Sequence, residues 1–187
     1  MKLILASNSP RRRELLSGLG LDYEVRVMKD IDESFPETLK GEDIPVYISR
    51  KKADAYKLSA DEVLVTADTI VYLEGRVLGK PATPEEACRM LSDLSGKTHQ
   101  VITGVTLTTA SMQHSFSSVS EVTFAELTPQ EISYYVENYK PMDKAGAYGI
   151  QEWIGYIGVT ALHGSYFNVV GLPIQRLYSE LKKMNLI

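Results

Sequence analysis

The sequence contains one cysteine, one tryptophan and three histidines among 187 residues. A single thiol, Cys88, cannot close an internal disulfide, so a disulfide-stapled extracellular scaffold is excluded and a reducing cytoplasm fits best. His99, His114 and His163 fall at no metal-ligand spacing, and Cys88 lies in an expected helix, which sets aside a zinc site and a cysteine nucleophile. No stretch approaches the ~18 consecutive apolar residues of a membrane span. The apolar start, Met1–Ala6, is too short for a signal-peptide core and runs at once into charge. There is no P-loop and no G-x-G-x-x-G, and neither Ser117 nor Ser165 sits in a G-x-S-x-G elbow. Low-complexity tracts and internal repeats are missing as well. A net charge of −4 argues against a broad nucleic-acid-binding face. It leaves room for a local anion site, because charge can be focused in one place.

What is present is ordinary globular composition, 44% hydrophobic and 24% charged, in a chain long enough for one good core. No linker separates independent halves, so residues 1–187 are expected to form one domain. Leu3–Ala6 reads as a short buried strand. Ser9-Pro10 offers an N-cap and a first helical residue, followed by the apolar stripe Leu15, Leu16 and Leu19. Tyr23, Val25 and Val27 alternate like a second strand, residues 30–41 read as a loop, and residues 43–59 as a helix. Val63–Ala67 is expected as a strand broken by Asp68-Thr69 and resumed by Ile70–Leu73, with a tight turn at Glu74-Gly75. Thr83-Pro84-Glu85-Glu86 and Thr128-Pro129-Gln130-Glu131 both carry capping-box signals before helices. Residues 101–109 and 119–127 suggest long paired strands. A glycine-punctuated, loop-rich stretch with short strands follows, and residues 172–184 suggest a closing amphipathic helix. Strands and helices mix without a regular βαβ period, so the class is α/β with a mixed sheet.

Three constellations could carry chemistry. The turn Ser7-Asn8-Ser9-Pro10-Arg11-Arg12-Arg13 presents a helix N-terminus, unpaired N–H groups and fixed positive charge, all suited to an anion. Three arginines in a first helical turn oppose the helix dipole, and a broken local preference often marks function. A capped surface helix with solvated arginines is the plain alternative. Asp68, directly after a buried strand, is placed to hold a divalent ion or activate a water, or simply to cap a turn. Lys52, Lys80 and Lys144 each lie beside a small or turn residue. Taken singly, each reads as a solvated surface lysine.

In order along the chain stand Leu5–Arg12, Asp32-Glu33, Lys52-Ala53, Ala67-Asp68-Thr69, Leu78-Gly79-Lys80-Pro81, Leu94–His99, Asp143–Gln151 and Tyr166–Pro173. This set, spread over essentially the whole chain, resembles the Maf family of nucleoside triphosphate pyrophosphatases. Thr66 stands where that family often has Gly, and Phe167 where a second Tyr is common. The resemblance implies an α/β fold with an elongated mixed sheet flanked by helices, in two lobes with a central cleft, related to inosine-triphosphate pyrophosphatases. It implies hydrolysis of a nucleoside triphosphate to monophosphate and pyrophosphate, a divalent cation (Mg²⁺ or Mn²⁺), and a homodimer, with no nucleic acid or membrane partner.

By the same resemblance Asp68 matches the proton acceptor. Arg11, Thr69 and Gln151 match the specificity markers, in the combination of the branch acting on dTTP and UTP. Ser7, Ser9, Arg11 and Arg12 are then expected to grip phosphates, with Arg12 the purer phosphate contact and Arg13 a solvated neighbour. Lys52 and Lys80 neutralise the leaving pyrophosphate, and Glu33, or else Asp32, is the acidic metal ligand. Two other readings stand beside this one: a nucleotide-binding regulator of cell division without turnover, and a purine-directed pyrophosphatase of the inosine-triphosphate type.

Overall fold

A computed structural model describes all 187 residues, Met1–Ile187. Seven strands, β1 (Lys2–Leu5), β2 (Tyr23–Val25), β3 (Glu62–Leu73), β4 (Arg76–Leu78), β5 (Thr98–Thr108), β6 (Gln113–Phe124) and β7 (Val159–His163), form one mixed sheet. The hydrogen-bonded order is β2-β1-β3-β5-β6-β7, with β4 paired to β3. β1 lies parallel to both β2 and β3, whereas β4 pairs antiparallel with β3 and β7 antiparallel with β6. Seven α-helices accompany the sheet: α1 (Pro10–Ser17), α2 (Asp43–Asp54), α3 (Pro84–Leu94), α4 (Pro129–Tyr139), α5 (Trp153–Gly158), α6 (Tyr166–Val170) and α7 (Ile174–Lys183), with one short 3₁₀ turn at Ala145–Ala147. No helix is long and apolar enough to cross a membrane.

The chain resolves into two compact units, one of residues 1–69, 103–118 and 171–187, the other of residues 70–102 and 119–170. In the first, strand alternation sorts the core into two faces. Leu3, Leu5, Val63 and Val65 pack with Leu16 of α1 and with Leu177 and Leu181 of α7. Their neighbours Ile4 and Leu64 pack with Ala53 of α2 and with Tyr56 and Leu58 beyond it. The sheet of this unit is thus covered by α1 and α7 on one side and by α2 on the other. In the second unit, Val71, Leu73 and Phe124 pack with Leu91 and Leu94 of α3, Tyr135 of α4 and Ile154 of α5.

Local signals explain most element ends. Ser9 accepts the Arg12 backbone N–H and starts α1 at Pro10. Thr128 closes a full capping box with Glu131. At the start of α3, Thr83 accepts from the Glu86 N–H, but the Glu86 carboxylate turns to the Ala82 N–H at 2.7 Å. Glu74 and Gly75 both adopt positive φ, 50° and 81°, the backbone of a type I′ hairpin turn between β3 and β4.

Several expectations fail, each for a physical reason. β3 is not broken at Asp68-Thr69 but runs unbroken for 12 residues, because both polar residues find partners there. α2 stops at Asp54, five residues before the expected end. Tyr56 and Leu58 leave the helix to pack on Ile4 and Leu64, and the Tyr56 hydroxyl bonds the Arg26 carbonyl and the Met28 N–H. β5 and β6 are joined by a short turn, Thr109 N–H to Met112 carbonyl at 2.8 Å, rather than by the whole of residues 110–118. The glycine-rich stretch holds an expected short strand, β7, but also two short helices, α5 and α6, that were not expected.

Candidate active site

The parallel register of β1 on β3 ends where Leu5 faces Val65, with a last bond from the Ala6 N–H to the Val65 carbonyl. Beyond that point the β3 edge has lost its strand partner, and its next outward carbonyl, that of Ala67, needs a donor. Arg12 supplies it. The Arg12 guanidinium donates to Ala67 O at 2.9 Å, to Thr69 Oγ1 at 3.0 Å and to Gly171 O at 2.8 Å. Burial pushes the Arg12 pKa down, and the Asp68 charge partly offsets this.

Alternation along β3 sets what lies on each face. Thr66 and Asp68 point to the α2 side. The Thr66 hydroxyl donates to the Ser49 carbonyl at 2.7 Å, and Ser49 Oγ meets Thr106 Oγ1 at 2.8 Å. These bonds dock α2 on β3 and β5, and they place Lys52 one helical turn further along. Lys52 Nζ lies 2.9 Å from Asp68 Oδ1, 3.0 Å from Glu33 Oε1 and 3.5 Å from the Ala67 carbonyl. Asp68 is largely buried, with 13% of its side chain exposed. Gly104 on β5 permits the close approach of α2: a Cβ there would lie 2.3 Å from the Pro45 carbonyl carbon.

Asp32 and Glu33 are separated by this geometry. Asp32 turns to Lys51 Nζ at 2.6 Å and to the N–H and hydroxyl of Ser34. Lys51 first, then Ser34, holds its carboxyl well below the usual carboxylate range. Glu33, the neighbour, is the one that shares Lys52 with Asp68. In the basic turn, Ser7 is buried and accepts the Ser9 N–H at 3.2 Å, and Arg11 is partly exposed on the first helical turn. Arg13 is not simply solvated. It wraps back on its own turn, donating to the Ser7 carbonyl and to Asn8 Oδ1, both at 3.2 Å.

Ser7, Ser9, Arg11, Arg12, Glu33, Lys52, Asp68 and Thr69 all belong to the first unit, whereas Lys80 and Gln151 belong to the second. Lys80 is exposed beside Gly79, whose carbonyl accepts the Gly146 N–H at 3.1 Å. Gln151 is partly buried, and its Oε1 has no hydrogen-bond partner. Lys144, read from sequence as a surface lysine, is 8% exposed and paired with Asp143 at 2.9 Å and Glu152 at 3.2 Å. Nothing in its local sequence marks that burial, since its partner Glu152 lies eight positions on. Sequence reading also missed Gly104, Ser49 and Thr66 as the seat of α2. Thr66 stood out only as a departure from the resemblance.

This arrangement joins an anion-ready helix start to a carboxylate–ammonium–carboxylate bridge on a buried strand. The family's sequence profile, described as Maf-like protein, matches residues 2–184. The chain belongs to the Maf family. It is 64% identical over 185 residues to a dTTP/UTP pyrophosphatase of Phocaeicola vulgatus, covering 98% of this chain and 96% of that one. It is 62% identical to the dTTP/UTP pyrophosphatase of Bacteroides thetaiotaomicron over the same shares. Among solved structures the Ham1 protein of Staphylococcus aureus superposes with a TM-score of 0.55 at 17% identity, over 98% of this chain and 100% of that one. At that identity the likeness concerns the fold alone, and it agrees with the mixed sheet and flanking helices of this Maf protein.

Proposed function

We propose that the chain is a pyrophosphatase of dTTP and UTP that cleaves the α–β phosphoanhydride to release the nucleoside monophosphate and pyrophosphate. The observation that carries this reading is Lys52 Nζ held between Asp68 and Glu33 next to the arginine-bearing start of α1. The names of the relatives at 62–64% identity support the same substrates.

Phosphoryl transfer needs positioning and charge neutralisation more than covalent help. Arg11 and the N–H groups at the start of α1 bind the phosphates, with Ser7 and Ser9 shaping the turn. Arg12 contributes charge, but three of its five N–H donors are directed at protein oxygens. Asp68 accepts the proton of the attacking water as its oxygen bonds to the α-phosphorus, and the electron pair of the broken bond leaves with pyrophosphate. Lys52 and Lys80 stabilise the charge that develops on the leaving group. Glu33 and Asp68 offer hard oxygen donors already converging on one cation, which fits a Mg²⁺ or Mn²⁺ site completed by phosphate oxygens and water. Such an ion would neutralise phosphate charge and acidify its bound water. Thr69 and Gln151 select the pyrimidine, since an amide both donates and accepts and so matches an O4/N3–H edge. The homodimer and a cytoplasmic setting belong to the same reading.

The test is a panel of natural and modified triphosphates assayed for pyrophosphate with Mg²⁺ or Mn²⁺. dTTP and UTP should give the highest kcat/KM. Asp68→Asn should lower kcat by ~10²–10⁴, the share of a general base, while nucleotide binding persists. Near-normal turnover in Asp68→Asn would remove it as the base. Tight dTTP binding with no pyrophosphate release from the native protein would replace the enzyme by a nucleotide-binding regulator.

A further inference from the structure

Gln151 ends a loop whose conformation is unusually constrained. Gly146 and Ala147 both take left-handed backbone, φ 68° and 60°, and Ala147 is fully buried. A left-handed non-glycine residue persists only where its surroundings over-determine it. The surroundings here converge on Glu152, the residue after Gln151. One carboxylate oxygen of Glu152 accepts a hydrogen bond from the Tyr135 hydroxyl of α4. The other pairs with Lys144 Nζ at 3.2 Å. The Tyr135 oxygen in turn accepts the Gly149 N–H at 3.1 Å, and the Glu152 N–H donates to the Gly149 carbonyl at 3.0 Å. One carboxylate therefore ties the start of the loop, its end and α4 together. Burial first, then Glu152, raises the Tyr135 pKa well above that of a free phenol, so the hydroxyl stays a donor.

Gly149 lies at the centre of this arrangement. A Cβ there would stand 3.0 Å from Lys144 Cε, 3.2 Å from Glu152 Cδ and 3.3 Å from Gln151 Nε2. The absent side chain lets three others crowd one backbone position, and the Gln151 amide is one of them. Its Oε1 is buried without a partner. An acceptor kept in that state gains on meeting a donor, and its neighbours limit where the donor can come from.

We propose that Glu152 is a positioning residue for substrate choice. Through Lys144 and Tyr135 it fixes the loop that aims the Gln151 amide, so that Oε1 meets the N3–H of a pyrimidine, whereas the larger ring system of a purine carries its own N–H donors further from the sugar and out of register with that oxygen. The inference rests on the reading of Gln151 as the base-selecting residue and adds to it the device that sets the amide's position. Glu152 itself touches no substrate.

The experiment compares Glu152→Gln, Lys144→Met and Gln151→Ala with the native protein. Two ratios are measured, dTTP to GTP in kcat/KM and dTTP to GTP in Kd, the second in an Asp68→Asn background so that turnover is not required. Both ratios are independent of the fraction of folded protein, so lost stability alone does not move them. Glu152→Gln keeps an acceptor for Tyr135 and removes the charge that holds Lys144. It should lower the kcat/KM ratio and raise the Kd ratio, each about 10-fold, mainly through weaker dTTP binding, with kcat for dTTP within about two-fold. Lys144→Met should do the same. In the double variant Gln151→Ala with Glu152→Gln, the ratio should match that of Gln151→Ala alone, because the two residues act through one amide. Unchanged ratios in Glu152→Gln, with a changed ratio in Gln151→Ala, would overturn the positioning role and leave the base-selecting reading intact. Unchanged ratios in Gln151→Ala would overturn both.

Discussion

Gly104→Ala would test the packing and the chemistry in one substitution. The added Cβ would lie 2.3 Å from the Pro45 carbonyl carbon, and 2.4 Å from both the Pro45 oxygen and the Val46 nitrogen. Ordinary contact begins near 3.4 Å, so α2 must withdraw by about 1 Å. All three contacts are backbone, so no rotamer change relieves them. Overpacking of this kind costs ~1–3 kcal/mol, which for a chain of this length lowers Tm by roughly 2–10 °C. Withdrawal also stretches the bonds that seat the helix, Thr66 to the Ser49 carbonyl at 2.7 Å and Ser49 to Thr106 at 2.8 Å. Lys52 lies seven residues beyond Pro45, ~10 Å along the same rod, so its ammonium, 2.9 Å from Asp68 Oδ1, would shift with the helix. Misplacement by 1 Å can cost ~10² in rate. The assay is a thermal melt with kcat for pyrophosphate release from dTTP, measured well below the melting transition and normalised to folded protein. Gly79→Ala, where a Cβ meets nothing within 4 Å, is the control for Tm. An unchanged Tm in Gly104→Ala would refute the close approach. A lowered Tm with normal kcat per folded molecule would refute the claim that this contact positions Lys52.

Burial pushes the His99 imidazole down to about 4, against an unfolded value near 6.5. The unfolded chain therefore binds the extra proton first. Stability is complete above pH 6.5 and falls as pH drops from 6.5 towards 4, by up to ~3 kcal/mol, and denaturant titrations should show that slope reduced in His99→Gln. Arg12→Lys keeps the charge but cannot span the Ala67, Thr69 and Gly171 oxygens. It should lower Tm and kcat together while KM for dTTP stays within a few-fold, and a KM effect alone would make Arg12 a phosphate contact instead.

Signals confined to a few neighbouring residues were legible in the sequence. Ser9-Pro10, Thr83-Pro84 and Thr128-Pro129 each start a helix at the proline, and Glu74-Gly75 makes its turn. Features settled by distant partners were not. Asp68-Thr69 reads as a strand break because two polar residues interrupt an apolar run. It is strand because Lys52, 16 positions away, and Arg12, 57 positions away, satisfy the two side chains. The chemical types of the site, arginine turn, lysines and aspartate, could be read in order along the chain. Which of Asp32 and Glu33 faces Asp68 could not, since that depends on which of Lys51 and Lys52 each one meets. Lys144 was misjudged for the same reason, its burial being decided by Glu152 and the fold of the loop between them.

The arginine cluster shows why a local violation can be stable. Cations at a helix N-terminus oppose the dipole, and three of them should fray α1. Two are drawn away from the helix by acceptors: Arg13 returns to the Ser7 carbonyl and Asn8, and Arg12 reaches Ala67, Thr69 and Gly171. Those partners are almost all neutral oxygens, so they hold the guanidinium groups without cancelling their charge. Arg12, Arg13 and the Lys52 bridge between Glu33 and Asp68 thus keep fixed positive charge at one place in a chain whose net charge is −4. The same hydrogen bonds that keep β3 unbroken past the end of β1 also hold Arg12 in place by neutral oxygens, without cancelling its charge.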